Sequence, residues 1–457
     1  MATTSLIRTP ATTGSTTKAT LSFWFKRGLL GGINETTQAL YYAASDSSNW
    51  MRIWLFTDNR LEIRAAGGGT TQLQLNTYRV IRDSGWYHIV VAMDLAESTA
   101  DDKVKVYING VRETNWETQT NPTVSTAGWV GTSASFTPSF GDHPTEPTDH
   151  FDGLMSDICF IDGQQLTASS FGETDTDTGE WKISDIASDA FTWGTNGYMI
   201  LNNGDTITDQ STNSNDFTVG AGTLTNTLDC PSNVFSTWNI QATTNYKQSS
   251  GTAQTYANGN TSIIESGGLY KSPPTTLGAF TGKYYCELKF IGTVGSSLLY
   301  STMGGVITAN DVANLGDNYN HAGETAQSVG YGAYDGKTYI SNVGTAYGAT
   351  LADGDILSIA LDLDNSKVYF SKNGVWQNSG DPTSGATGTG AVSLPASTSS
   401  WHFIGSPTNS TISANFGNGY FGTTAIASAG TPASTPGSFE YDVPSGYQPL
   451  STKGINA

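Results

Sequence analysis

The sequence predicts an all-β protein made of two tandem concanavalin A-like β-sandwiches of the jelly-roll type, with very little helix. Three observations carry this prediction. First, apolar and polar residues alternate with a period of two along short runs. In residues 356–363, Leu357, Ile359, Leu361 and Leu363 fall on one face and Ile356, Ser358, Ala360 and Asp362 on the other, the pattern of a half-buried strand. Second, such runs end in turn dipeptides: Asp364-Asn365 here, then Asn373-Gly374 after the Lys367–Phe370 alternation. Asn-Gly best tolerates the positive φ angles of a type I′ hairpin. Third, the plan occurs twice. Residues 86–95 and 103–111 also run apolar strand, Asp-Leu, polar turn, Lys-Val-Tyr strand, Asn109-Gly110, Val111.

Composition narrows the class. A chain of 457 residues corresponds to two or three domains, each able to bury a core. Its 52 glycines sit in turns between apolar runs, unlike a disordered low-complexity chain. No heptad pattern is present, so no coiled coil is expected. The formal net charge of −19 argues against nucleic acid, whose binders draw affinity from Lys and Arg on phosphates. The acidity instead reads as a solvated surface. Cys159, Cys230 and Cys286 are widely spaced and odd in number, neither a metal motif nor a disulfide framework. They read as buried thiols of a protein folded in a reducing cytoplasm. Residues 1–8 lack the apolar core of a signal peptide. No run approaches the roughly 18 apolar residues of a membrane span, so no membrane insertion is expected.

Taken in order, residues 1–18 are a Thr-rich N-terminal arm with Pro10 and Gly14, read as a frayed terminus or as a strand or peg that docks on a neighbouring subunit. Residues 19–173 form the first sandwich. It contains a strand at 20–26, a hairpin of 50–56 and 60–64 around Asp58-Asn59, the two strands of the repeated plan, and a last strand at 151–163. Gly67–Gly69 does not lead into a helix, so it reads as a loop tip rather than a phosphate cradle. Residues 174–227, with Trp181 and Trp193, either complete the first sandwich or connect the two. Residues 228–457 form the second sandwich.

Four motifs in order, "LSFWFKRG", "GWYHIVVAMD", "KVKVYINGVRE" and "FDGLMSDICFIDGQQLTASSFGE", resemble the laminin G-like branch of the concanavalin A-like sandwiches over residues 5–173. From residue 228 the chain resembles the SPRY domain through "GKYYCELKF", "VGYGAYDGKTYIS", "GDILSIALDLDNSKVYFSKNGVW", "ISANFG" and "FEYDVPSGYQPL". The pairing, joined by "FGETD-TGEW" and "D-x-P-x-N-x-F", resembles virion proteins of tailed bacteriophages, especially marine ones. That resemblance implies a non-enzymatic structural protein of the virion, made in the host cytoplasm, on a tail fibre or surface appendage. Its lectin-like domains would attach to a host-surface glycan or receptor, and its other partners would be virion proteins. By analogy with phage appendages it implies a homo-oligomer, a trimer. A fibre's anchor and shaft have no counterpart here, which leaves open a capsid or appendage decoration protein acting through subunit contacts. The reading from another class is a glycan-degrading enzyme on the same fold.

Hydrolysis would need two carboxylates roughly 5–9.5 Å apart across a cleft. The Glu-x-Asp-x-x-Glu strand of the hydrolase branch is missing, and Asp362 and Asp364 flank a turn, a structural position. The five histidines come without a Gly-x-Ser-x-Gly elbow, and His88 lies within an alternating strand as a packed residue. The expectation is no enzyme and no cofactor, with one exception. Asp142, His143, Glu146, Asp149, His150 and Asp152 lie within eleven residues, and Asp142, Asp149 and Asp152 are candidate ligands for Ca²⁺, which takes six to eight oxygens. Their spacing matches no calcium loop, and Pro144 and Pro147 read as a solvated loop. For binding, the candidates are Trp116 and Trp129 in the connection after the first Asn-Gly, and Tyr331, Tyr334 and Asp335 at the Asp335-Gly336 turn. An aromatic face beside polar groups suits a sugar ring.

Overall fold

The computed structural model describes residues 4–30, 37–130, 134–143, 149–202, 204, 206–242, 254–266, 271–294, 302–315, 321–430 and 436–456. The chain divides into two compact units, Met1–Asn226 and Thr227–Ala457. Both are β-sandwiches, and the described helices are short, Ala309–Val312 and Thr452–Ile455 being the α-helical ones.

In the first unit an eight-stranded sheet packs on a six-stranded one. The six-stranded sheet is centred on Lys18–Arg27, Trp86–Asp94 and Gly153–Asp162. Alternation sends Leu21, Phe23, Ile89, Val91, Ile158 and Phe160 inward, where they meet Ile53, Ile63 and Leu75 of the other sheet. The segment read as an arm is a strand: Ser5–Ile7 pairs with both Thr137–Phe140 and Thr218–Ala221. Residues 174–227 complete this sandwich, since they supply Thr218–Ala221 to one sheet and Tyr198–Ile200 to the other.

The second unit stacks a nine-stranded sheet on a five-stranded one. Lys283–Gly292 pairs with Ile356–Asp362, which pairs with Lys367–Lys372. Gly304 marks how close the sheets come, because a β-carbon there would stand 2.7 Å from Leu288 Cδ1.

The half-buried expectation for residues 356–363 is corrected. Ile356–Asp362 is buried along its whole length, because the outward face carrying Tyr285, Ala360 and Tyr369 lies under Phe439, Val443 and Tyr447. The first unit does the same: Val90 and Ala92 face outward and are covered by Phe171, Ile186 and Trp193. The cysteines are free; Cys159 and Cys286 are buried as expected, whereas Cys230 is only half-buried.

The two Asn-Gly turns share more than their letters. Asn109 and Gly110 have φ of 47° and 77°, Asn373 and Gly374 of 47° and 78°, the left-handed pair a type I′ turn needs. Each asparagine grips the neighbouring strand with backbone and side chain. The Asn109 N–H donates to the His88 carbonyl at 2.9 Å and Asn109 Oδ1 accepts the His88 N–H at 2.8 Å. Asn373 makes the same two bonds to Ile356 at the same lengths. Over each glycine lies a ring from the covering segment: a β-carbon would stand 2.2 Å from Trp181 Cε3 at position 110, and 2.6 Å from Tyr441 Cδ1 at position 374.

A buried carboxylate fastens the covering segment of the second unit. Glu287 Oε2 accepts the Glu440 N–H at 2.8 Å and Asn415 Nδ2 at 3.3 Å. Its Oε1 accepts the Tyr441 N–H at 2.8 Å and the Tyr285 hydroxyl at 3.1 Å. Desolvation pushes this group up to about 7, against the opposing pull of those bonds.

Two outcomes follow. Gly110→Ala and Gly374→Ala should each cost more than about 1 kcal/mol in urea unfolding. Both should exceed Gly179→Ala, whose φ is also positive but whose side has nothing within 4 Å. The folded Glu287 holds a proton that the unfolded chain loses near pH 4.5. Its contribution is therefore complete below that pH and falls as pH rises through 7. Melting temperatures from pH 4.5 to 8 should show this decline in the native protein and a shallower one in Glu287→Gln.

Candidate functional site

The eight-stranded sheet turns a second kind of surface outward. Because Met51, Ile53, Ile63, Leu73 and Leu75 point into the core, strand alternation sends Trp50, Arg52, Trp54, Glu62, Arg64, Gln74 and Asn76 the other way. Cross-strand register lines them up: Tyr42 opposite Arg52, Arg52 opposite Arg64, Arg64 opposite Gln74, and Trp54 opposite Glu62, itself opposite Asn76. The Arg52 guanidinium lies over Trp54 at 3.9 Å and over Trp50 at 5.1 Å from the ring centres, and Arg64 lies over Trp50 at 5.7 Å. Arg52 Nε donates to Glu62 Oε2 at 2.7 Å, and Arg64 Nη2 donates to Thr71 Oγ1 at 2.8 Å. His143 closes one end, its ring 4.0 Å from Tyr42 and 5.3 Å from Trp54. Trp50, Arg52, Arg64 and Gln74 stay partly open to solvent. The surface offers flat rings, amide groups and two guanidiniums, which suits stacking combined with hydrogen bonding.

The sequence reading gives residues 50–64 as a hairpin and assigns no role to its outward side chains. The signal that could have found the face is the alternation of Trp50, Arg52 and Trp54 against Glu62 and Arg64: cations at the same parity as the rings mark an outward face.

The residues predicted for binding are scattered. Trp116 lies on the edge strand Trp116–Thr120, half-buried against the core of the first unit. Trp129 is 1 % exposed within that core, and its Nε1–H donates to Gln72 Oε1 at 2.5 Å. It presents no face to a sugar, because the connection that carries it folds inward. Tyr331 is likewise in the core, its ring 5.4 Å from Phe370 and its hydroxyl bonded to the Ala349 carbonyl. Tyr334 alone of this pair is exposed, at 44 %. Asp335 is occupied locally, accepting the Tyr339 hydroxyl at 2.6 Å and pairing with Lys337 Nζ at 3.2 Å.

The carboxylate run after Gly141 is also divided. Asp142 pairs with His150 Nδ1 at 2.9 Å. Asp152 is buried, and the carbonyls of Asp149 and Asp152 accept the N–H groups of Ala39 and Gly28, each at 2.8 Å. His143 belongs to the aromatic face, and Glu146 lies outside the described residues. Among the described residues no group of three or more His, Cys, Asp or Glu side chains is placed to hold a metal ion.

His88 is packed, as its strand position predicts. Trp24 stacks on its ring at 4.7 Å, and Trp181 lies nearly parallel to it with ring centres 6.0 Å apart. Its Nδ1 accepts Trp181 Nε1–H at 3.0 Å, which leaves the proton on Nε2 to meet Ser22 Oγ at 2.8 Å. Burial pushes its pKa down to about 3, so the ring is neutral at ordinary pH.

Residues 2–170 match the model of the concanavalin A-like lectin/glucanases superfamily, and residues 305–401 match that of the SPRY domain. The chain therefore contains a laminin G-type concanavalin A-like domain and a SPRY domain. No curated protein matches it by sequence. Among solved structures it is similar to a heptameric SAP-like pentraxin from Limulus polyphemus, with 16 % identity over 36 % of this chain and 72 % of that one, at a TM-score of 0.27. The SPRY domain of human HERC1 gives 17 % identity over 36 % and 92 %, also at 0.27. Domains LG4-5 of the mouse laminin alpha1 chain give 8 % identity over 88 % and 78 %, at 0.28.

The burial of Trp129 and the exposure of Tyr334 set a clear contrast. Trp129→Ala should destabilise the first unit by about 3–5 kcal/mol. Tyr334→Ala, at an exposed turn, should stay within about 0.5 kcal/mol. Urea unfolding of both variants checks this.

Proposed function

We propose that the chain is a non-enzymatic attachment protein of a tailed-phage virion, carried as a homotrimer on a tail fibre or surface appendage. Its first sandwich holds a host-surface glycan. The observation that carries this reading is the outward face of the eight-stranded sheet, where the half-buried Trp50 lies beside Arg52, Arg64 and Gln74. Rings set among amide and guanidinium donors supply the stacking and the polar contacts that sugar recognition uses. The concanavalin A-like and SPRY domains favour binding over other roles. The virion assignment rests on the sequence resemblance of the paired domains. A non-enzymatic role is supported by the state of Asp362, which is buried, paired with Lys283 Nζ at 3.1 Å and bonded to Asn365. The proposed binding uses no metal or other cofactor.

One observation favours the decoration reading instead. The strand Val343–Ala346 forms an edge of the five-stranded sheet and is exposed throughout, Val343 at 67 %. An unprotected edge can pair with another chain.

Purified protein applied to a printed glycan array should be retained on sugars without shortening them, and immunogold labelling should place it on the tail or an appendage. Release of new reducing ends would identify an enzyme. Label spread over the head with no retained glycan would favour decoration.

A further inference from the structure

We infer that the outward face of the eight-stranded sheet selects acidic glycans, sugars bearing carboxylate or sulfate, with Arg64 as the group that meets the anion. This rests on the glycan-binding reading above and names the class of sugar.

The argument begins with register. Arg52 and Arg64 stand directly opposite each other on adjacent antiparallel strands. Like charges so placed lie about 4.5–5.5 Å apart at their β-carbons and destabilise a sheet. Glu62 offsets one of them through its 2.7 Å bond to Arg52 Nε, and being 1 % exposed it is committed to that contact. Arg64 is bonded to the neutral Thr71 hydroxyl and stacked on Trp50; its neighbours along the register are Arg52 and Gln74. A guanidinium balanced by no carboxylate among these neighbours remains on this face, in a chain whose net charge is −19. An anionic ligand would remove the repulsion that the apo face carries. Charge-assisted, forked hydrogen bonds to carboxylate or sulfate oxygens are what a guanidinium does best.

Geometry sets the rest. Arg52 is held by Glu62 and by two tryptophan rings, so it is already ordered, and little side-chain entropy remains to be lost on binding. Trp54 is buried beneath Arg52, so Trp50, partly open beside Arg64, is the ring left to meet a sugar. The ligand would stack on the more open Trp50 and turn its acidic group towards Arg64.

The test uses the full chain on an array that pairs oligogalacturonate, oligomannuronate and sulfated galactan with their carboxyl-reduced or desulfated counterparts. Affinities are then measured by calorimetry for the best pair. Acidic sugars should bind at least tenfold more tightly than their neutral partners, and the difference should shrink as salt is raised. Arg64→Gln should lower acidic binding about tenfold or more and neutral binding by much less, whereas Trp50→Ala should lower both alike. Gln74→Glu provides an internal carboxylate opposite Arg64. It should abolish the preference for acidic sugars while raising the melting temperature, which separates loss of the site from loss of the fold. Tyr334→Ala should bind like the native chain. Equal binding of acidic and neutral partners, with Arg64→Gln silent, would overturn this inference and leave the glycan reading standing. Binding to none of the sugars would overturn both.

Discussion

Each sandwich depends on a corner where an asparagine-glycine turn is clamped twice. From below, the asparagine bonds both backbone groups of one residue on the next strand, His88 in one unit and Ile356 in the other. From above, an aromatic ring fills the space that a side chain on the glycine would take. The positive φ angles admit few residue types and the ring admits only glycine, so two independent constraints fall on one position. The ring belongs to the segment that covers the sheet, so the corner joins hairpin and cover. In the first unit the same Trp181 also stacks on His88 and fixes its tautomer.

Covering segments decide where a sandwich can bind. In the first unit the six-stranded sheet is buried on both faces, because residues 166–193 lie across it. In the second, Phe439, Val443 and Tyr447 cover the nine-stranded sheet, with Glu287 bonded to the backbone above it. The eight-stranded sheet instead dresses its outer side with its own long side chains. Tryptophan and arginine there shield each other by stacking, which buries Trp54 and leaves Trp50 partly wet without an apolar patch. The proposed binding chemistry thus sits on regular strands, where the pleat and the register hold each side chain more firmly than a loop would.

What was legible in the sequence was local. The Lys-Val-Tyr ribbons and their Asn-Gly turns can be read because alternation and turn chemistry act over a few residues. His88 reads as packed for the same reason. The place of Ser5–Ile7 in its own sandwich, rather than on a neighbour, could not be read: three residues carry no period, and their partners lie more than a hundred positions away. The covers were equally hidden, since an irregular segment gives no signal of which face it lies upon. That is why Ile356–Asp362 was expected to be wet on one side, and why Trp129 and Tyr331 passed for loop rings while both point into a core. The open face was hidden because residues 50–64 show only the alternation of a hairpin; Arg52, at the same parity as Trp50, is what marks its outward side.

The second unit begins and finishes at one seam. Phe235 bridges Ser451, the Ser236 N–H donates to the Leu450 carbonyl at 3.0 Å, and the Thr452 N–H donates to the Val234 carbonyl at 2.9 Å. Entry and exit therefore leave from neighbouring points, the arrangement that lets a domain be inserted or permuted without disturbing its surroundings. The segment encoding the whole unit, residues 227–457, is for that reason suited to exchange as one cassette. Recombination could replace it with another sandwich of different preference while the preceding polypeptide keeps its path.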